Sequence, residues 1–120
     1  MSNRAALGIR GEEMAAGWLR QHGYIIRDRN WRSGRTEIDI IAETSEFIVF
    51  VEVKTRSADY QVSPADAVNV PKQRTIIFAA SNYLNQLNLN KEARFDIITL
   101  ISNGSDWEID HIENAFYPTM

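Results

Sequence analysis

Three polar side chains stand in stretches that are otherwise strongly apolar. Asp39 lies within Glu37-Ile38-Asp39-Ile40-Ile41, and Glu52 and Lys54 close the run Phe47-Ile48-Val49-Phe50-Val51-Glu52-Val53-Lys54. Two carboxylates brought together repel unless a cation lies between them. Magnesium meets that need with oxygen ligands: one or two carboxylates, waters and substrate phosphate. Such an ion polarises a phosphoryl oxygen and lowers the pKa of a bound water. A lysine beside it can orient or deprotonate that water, or stabilise charge developing on phosphate. The chemistry within reach is phosphodiester hydrolysis. The plainer reading is a cross-strand salt bridge between Lys54 and a carboxylate. An Asp followed later by Glu-x-Lys arises often by chance, so spacing alone favours the plainer reading.

Strand alternation has to position these groups. Side chains two apart on a strand share a face. Ile48, Phe50, Glu52 and Lys54 therefore share one face, and Val49, Val51 and Val53 the other. A tight turn at Thr44-Ser45 predicts Glu43 opposite Glu46 and Asp39 opposite Phe50. Asp39 then falls diagonal to Glu52, at about 7–8 Å between backbones, within side-chain reach of a shared ion. A one-residue slip would separate them.

The surrounding elements follow from periodicity and capping. Residues 4–22 predict a helix whose stripe is Leu7, Met14 and Trp18, with Ala15 and Leu19 beside them and Gly23 as its C-terminal cap. Strands follow at Tyr24 to Arg32, Glu37 to Glu43 and Phe47 to Lys54, the first two joined by a Ser33-Gly34 turn. After a polar loop from Ser57 to Val62, Ser63-Pro64 with Asp66 predicts a short helix start, ended by Pro71. Asn69 caps a longer helix from about Pro71 to Leu87, with a stripe of Ile76 or Ile77, Ala80, Tyr83 or Leu84, and Leu87. Ala93 to Ile101 and Trp107 to Ile112 form a hairpin about Asn103-Gly104. The expected fold is α/β, a mixed β-sheet flanked by helices in the order α-β-β-β-α-β-β, in one domain covering residues 1–120.

Composition narrows the chemistry. The 120 residues include no cysteine, which excludes disulfides, thiolate nucleophiles and zinc–cysteine sites. Two histidines, His22 and His111, leave little for a histidine metal site. The longest apolar run, Phe47 to Val51, is far short of a membrane span, and the N-terminus has no apolar signal core. A cytoplasmic protein without membrane partners is expected. The net charge of −3 hides an asymmetry: residues 1–36 carry seven arginines, no lysine and three acids, while the remainder is acidic. A basic stretch suits a polyanion, because each phosphate neutralised releases counterions, and arginine forks onto phosphate oxygens. A solvated charged face is the competing explanation.

These residues in this order resemble the PD-(D/E)XK nuclease superfamily. More closely, the chain resembles the YraN family of bacterial proteins, which are similar to archaeal Holliday junction resolvases. The resemblance covers nearly the whole chain. It rests on Gly11-Glu12 with Ala15 and Leu19, Gly23-Tyr24, Arg29-Asn30-Trp31-Arg32, Glu37 to Ile41, Phe50 to Arg56, Lys72, Arg94-Phe95-Asp96 and Ile112 to Phe116. Thr36 departs from it, standing where the family usually has glycine.

The resemblance implies a restriction-endonuclease-like fold and a Mg2+-dependent endonuclease, with Mn2+ as the other candidate ion, acting on branched or structured DNA. It implies Asp39, Glu52 and the Val53 backbone carbonyl as metal ligands and Lys54 as the catalytic lysine. Glu12 is a further acid on the first helix. A two-fold homodimer is the assembly it suggests. Arg29, Arg32, Arg35 and Arg56 are candidates to rim the site against phosphate. Lys72 could meet phosphate beside a helix N-terminus, or be a solvated first-turn lysine. Trp31 is the best stacking candidate, whereas Trp18, Tyr83 and Phe95 read as core. Glu37 either faces the site or pairs with an arginine. Asp96 reads as an organiser of the sheet end, and His111 as a packed or surface histidine. The rival function is a nucleic-acid-binding module that keeps the nuclease fold without catalysis.

Overall fold

The computed structural model describes residues 3–58 and 68–118. The short helix expected from Ser63-Pro64 lies outside them. The elements are α1 (Asn3–Gln21), β1 (Ile25–Ser33), β2 (Thr36–Glu43), β3 (Phe47–Ser57), α2 (Val70–Leu87), β4 (Glu92–Asn103) and β5 (Asp106–Phe116), in the order the sequence predicts. The strands form one sheet in the spatial order β1-β2-β3-β4-β5. Only β3 and β4 run parallel, because α2 lies between them in the chain and a parallel pair needs a long crossover.

Capping fixes both helices. Gly23 takes a φ of 87°, and the amides of Gly23 and Tyr24 return to the carbonyls of Arg20 and Leu19. That is a Schellman closure, which favours glycine at the left-handed position. Asn69 accepts the Lys72 amide at 2.9 Å, and Asn88 at a φ of 51° ends α2. The buried stripe of α2 is Ile76, Ala79, Ala80 and Tyr83. Leu87, expected in that stripe, is exposed at the last position of α2, while Leu84 and Leu89 on either side pack against the core instead.

Strand alternation divides the core between two faces. Ile48, Phe50, Phe95 and Ile97 pack with Ile76 and Tyr83 of α2, while Val49, Val51, Ile98 and Leu100 pack with Ala15, Ala16 and Leu19 of α1. Aromatic rings line the α2 side: Phe50 stacks on Phe95 at 5.5 Å between centroids, and Phe95 on Phe116 at 5.3 Å.

The β2–β3 turn differs from expectation. Thr44 Oγ1 accepts the amides of Glu46 and Phe47 and the Thr44 amide donates to the Phe47 carbonyl, so the turn falls at Ser45-Glu46 and not at Thr44-Ser45. Glu43 pairs with Ile48 and Ile41 with Phe50, a register displaced by two residues from the predicted one. A shift of two preserves every face. The last registered pair is Ile40 with Val51, so Asp39 emerges next to Glu52 rather than diagonal to it.

On the other face, α1 approaches β3 so closely that a Cβ on Gly11 would lie 2.1 Å from Thr55 Oγ1. Gly17 faces open space. Gly11→Ala should therefore destabilise the fold by about 1–3 kcal/mol through overpacking. Gly17→Ala, on the same helix, should be neutral or stabilising by up to about 1 kcal/mol. Urea denaturation of the two variants checks this; equal midpoints would mean that the helix gives way without cost.

Candidate active site

The site forms where β2 stops pairing with β3. Asp39 Oδ2 accepts the Val53 amide at 2.8 Å, so a side chain takes over where the backbone ladder ends. A residue's N–H and C=O point to the same edge of its strand, so the Val53 carbonyl also faces the β2 side. Glu52, next in the chain, is 2% exposed. Its Oε1 has no hydrogen-bond partner among the described residues. The nearest cation is Lys72 Nζ on the first turn of α2, at 3.8 Å, which is too long for a hydrogen bond.

Electrostatics follow from this packing. Burial, then the adjoining Asp39 carboxyl, push the Glu52 carboxyl up to about 8, against the opposing pull of Lys72 and Lys54. Lys54 shares the face of Glu52 and is half-buried. Burial, then the charge of Lys72 beside it, lower its pKa below the ordinary lysine value. Among the described residues the site therefore brings together two carboxyls and two ammonium groups, with one carboxyl oxygen left without a hydrogen bond.

Glu12 stands at the margin. Its Oε1 accepts Asn30 Nδ2 at 2.9 Å and lies 4.0 Å from Arg29. Burial, and further the charge of Asp39, raise its pKa, while Asn30 opposes the rise. Among the described residues, no three Asp, Glu, His or Cys side chains come together to hold a metal, so Glu12 does not close a triad with the pair. A pair of carboxyls, an unpartnered buried oxygen and a carbonyl on the same edge nevertheless suit a hard cation that keeps several waters.

The other candidates divide. Glu37 lies 3.7 Å from Arg32, the second of its two predicted roles. Arg35 is exposed beside the β1–β2 turn, and Arg56 follows Lys54 on the same face of β3. Trp31 is not an open stacking platform. It is half-buried against the α2-side core, its ring 5.1 Å from Tyr83 and edge-on to it. Asp96, fully buried, accepts Arg94, His111 and the Asn114 amide. Tyr83 and Phe95 are core, as expected, and Trp18 is partly buried. Sequence reasoning missed Asn30, whose φ of 52° turns its amide onto Glu12. Asparagine tolerates that conformation, but nothing local marks it within a strand.

Fold and site together define a small α/β domain built round a carboxyl–carboxyl–lysine cluster where the interior strands β2 and β3 diverge. A match to the uncharacterised protein family UPF0102 spans residues 11–100. The chain belongs to that family. It is 43% identical over 120 residues to a UPF0102 protein of Bacteroides thetaiotaomicron, covering all of this chain and 99% of that one. It is 44% identical over 117 residues to one of Parabacteroides distasonis, covering 98% and 97% of the two chains. A relative from Chlorobium phaeobacteroides is 43% identical over 117 residues, 92% of each.

The raised Glu52 carboxyl makes stability depend on pH. Folding lifts it from 4.5 to about 8, so between those values the folded chain keeps a proton that the unfolded chain has released. Stability present below 4.5 is lost as pH rises through about 8. Glu52→Gln keeps the shape without the charge. With a chelator present, its stability relative to wild type should improve by on the order of a few kcal/mol across that window. Parallel pH curves for the two proteins would place the proton elsewhere.

Proposed function

We propose that this protein is a divalent-metal-dependent endonuclease that hydrolyses phosphodiester bonds in branched or otherwise structured DNA. The observation that carries the reading is the unpartnered, buried Oε1 of Glu52 beside Asp39. A carboxyl oxygen left without a hydrogen bond costs stability unless some state of the protein uses it. Asp39, Glu52 and the Val53 carbonyl would hold Mg2+ or Mn2+. When bound, the ion supplies polarisation of a phosphoryl oxygen and a more acidic water. Lys54, already drawn below its ordinary pKa, orients that water or takes its proton, and offsets charge developing on phosphate. The preference for branched DNA, and a two-fold dimer to cut two strands, rest on the family resemblance.

Asp39→Asn tests the enzyme. Asparagine keeps an oxygen to accept the Val53 amide, so the fold should survive. Asp39→Ala, by contrast, leaves that amide unpaired at a cost of about 1–3 kcal/mol. Cleavage of duplex, single-stranded, flap and four-way DNA with Mg2+ or Mn2+ should fall by several orders of magnitude in Asp39→Asn, while DNA binding without metal persists or tightens. Wild-type protein that cuts none of these and gains no thermal stability from either ion would support the binding module instead. The lack of a third acidic ligand among the described residues favours that second reading.

The arginines supply a separate test. Among the described residues Arg29 and Arg32 hold only long contacts, to Glu12 and Glu37, and can exchange them for phosphate. Neutralising two of Arg29, Arg32, Arg35 and Arg56 should weaken DNA binding and flatten its log–log salt dependence by about one to two units. A direct titration showing unchanged affinity would move the DNA surface elsewhere.

A further inference from the structure

Lys72 sits where helix electrostatics disfavour it. The first turn of α2 carries no acidic residue, and the helix dipole makes that end positive. A lysine there costs the helix a few tenths of a kcal/mol or more unless something outside the helix compensates. The outside group is Glu52, whose unpartnered Oε1 lies 3.8 Å from Lys72 Nζ. At that distance the ammonium lends charge but fills no lone pair. Lys72 is also 43% exposed, so its long side chain can leave without disturbing the core. Asn69 caps the Lys72 backbone amide, so the start of α2 does not depend on where that side chain goes.

We propose that Lys72 is a resident counter-cation of the Asp39–Glu52 pair, which it guards while no divalent ion is present and leaves for the substrate phosphate when one binds. The proposal rests on the metal-site reading above and adds to it a competition between a side chain and the ion. Both cations are drawn to the same oxygen, so each weakens the other's hold. The displaced ammonium is left on the first turn of α2, 43% exposed and free to meet a phosphate as a point charge. Loading the ion thus converts Lys72 from a partner of Glu52 into part of a phosphate cradle. Ion and DNA would bind with positive coupling, and the coupling is reciprocal.

The test is Mn2+ affinity of the DNA-free protein in mildly alkaline buffer, read as free Mn2+ by electron paramagnetic resonance. Lys72→Gln keeps the side chain's reach and removes its charge. It should bind Mn2+ at least about tenfold more tightly than wild type, whereas Lys72→Arg should stay within about threefold of it. Both variants should keep the wild-type circular dichroism spectrum at the assay temperature, which shows that the change in affinity is not one of folding. Wild type that binds Mn2+ with Lys72→Gln equal or weaker would overturn the counter-cation role and leave the metal site standing. Wild type that binds no Mn2+ would overturn both.

Discussion

A carboxyl group that is 2% exposed and touches a second carboxyl is the constraint on which this molecule turns. Water would stabilise its charge, and the sheet excludes water. Hydrogen bonds could stabilise it, yet one oxygen has none among the described residues. What remains is to keep a proton or to take a cation. The apolar face before it, Ile48 and Phe50, holds the residue in place, so the group cannot relax outward. A pair of this kind stores the demand for a positive ion in the pairing of two neighbouring strands.

The rest of the architecture arranges which cation can answer. Asp39 is free to reach across only because β2 leaves the β3 ladder after Ile40. It then accepts the Val53 amide and is fixed by the strand that carries Glu52 and Lys54. The cap at Asn69 sets where α2 begins, and so brings Lys72 over the same carboxyl. On the far side of the sheet, Gly11 lets α1 settle against Thr55, which places Glu12 near Asp39 without joining it to the pair. Site geometry is thus set by one strand divergence, one helix cap and one missing side chain.

Most of the fold was legible because its signals are local. Alternation gave the strands, Gly23 and Asn69 gave the helix ends, and parity predicted Glu52 on the face of Ile48 and Phe50. What was not legible is what two distant segments negotiate between themselves. Thr44 reaching to the Phe47 amide slid the turn by one residue and so moved the register by two. The fate of Trp31 was decided by Tyr83, more than fifty residues on, whose ring claims its edge. Lys72 read equally well as solvated or functional, since only the packed structure shows which carboxyl lies beneath it.

Two buried acids on neighbouring strands show how structural and functional roles separate. Asp96 on β4 pairs with Val51, one residue before Glu52, but faces α1. Burial pushes its carboxyl up, yet hydrogen bonds from His111, Arg94 and the Asn114 amide more than reverse this and hold it low. Arg94 reaches it at 3.0 and 2.7 Å and also donates to the Tyr24 hydroxyl. The Trp18 indole donates to His111 Nδ1 at 3.3 Å, and an indole can only donate. His111 therefore carries its hydrogen on Nε2 and gives it to Asp96 at 2.8 Å. Every lone pair that Asp96 offers is met by donors from β4 and β5, and the network runs on to α1. Such an acid ties elements together and has nothing left to bind. Glu52, a step away on the opposite face, keeps an oxygen that nothing in the described fold satisfies. The first acid completes the structure, and the second leaves it open to a ligand.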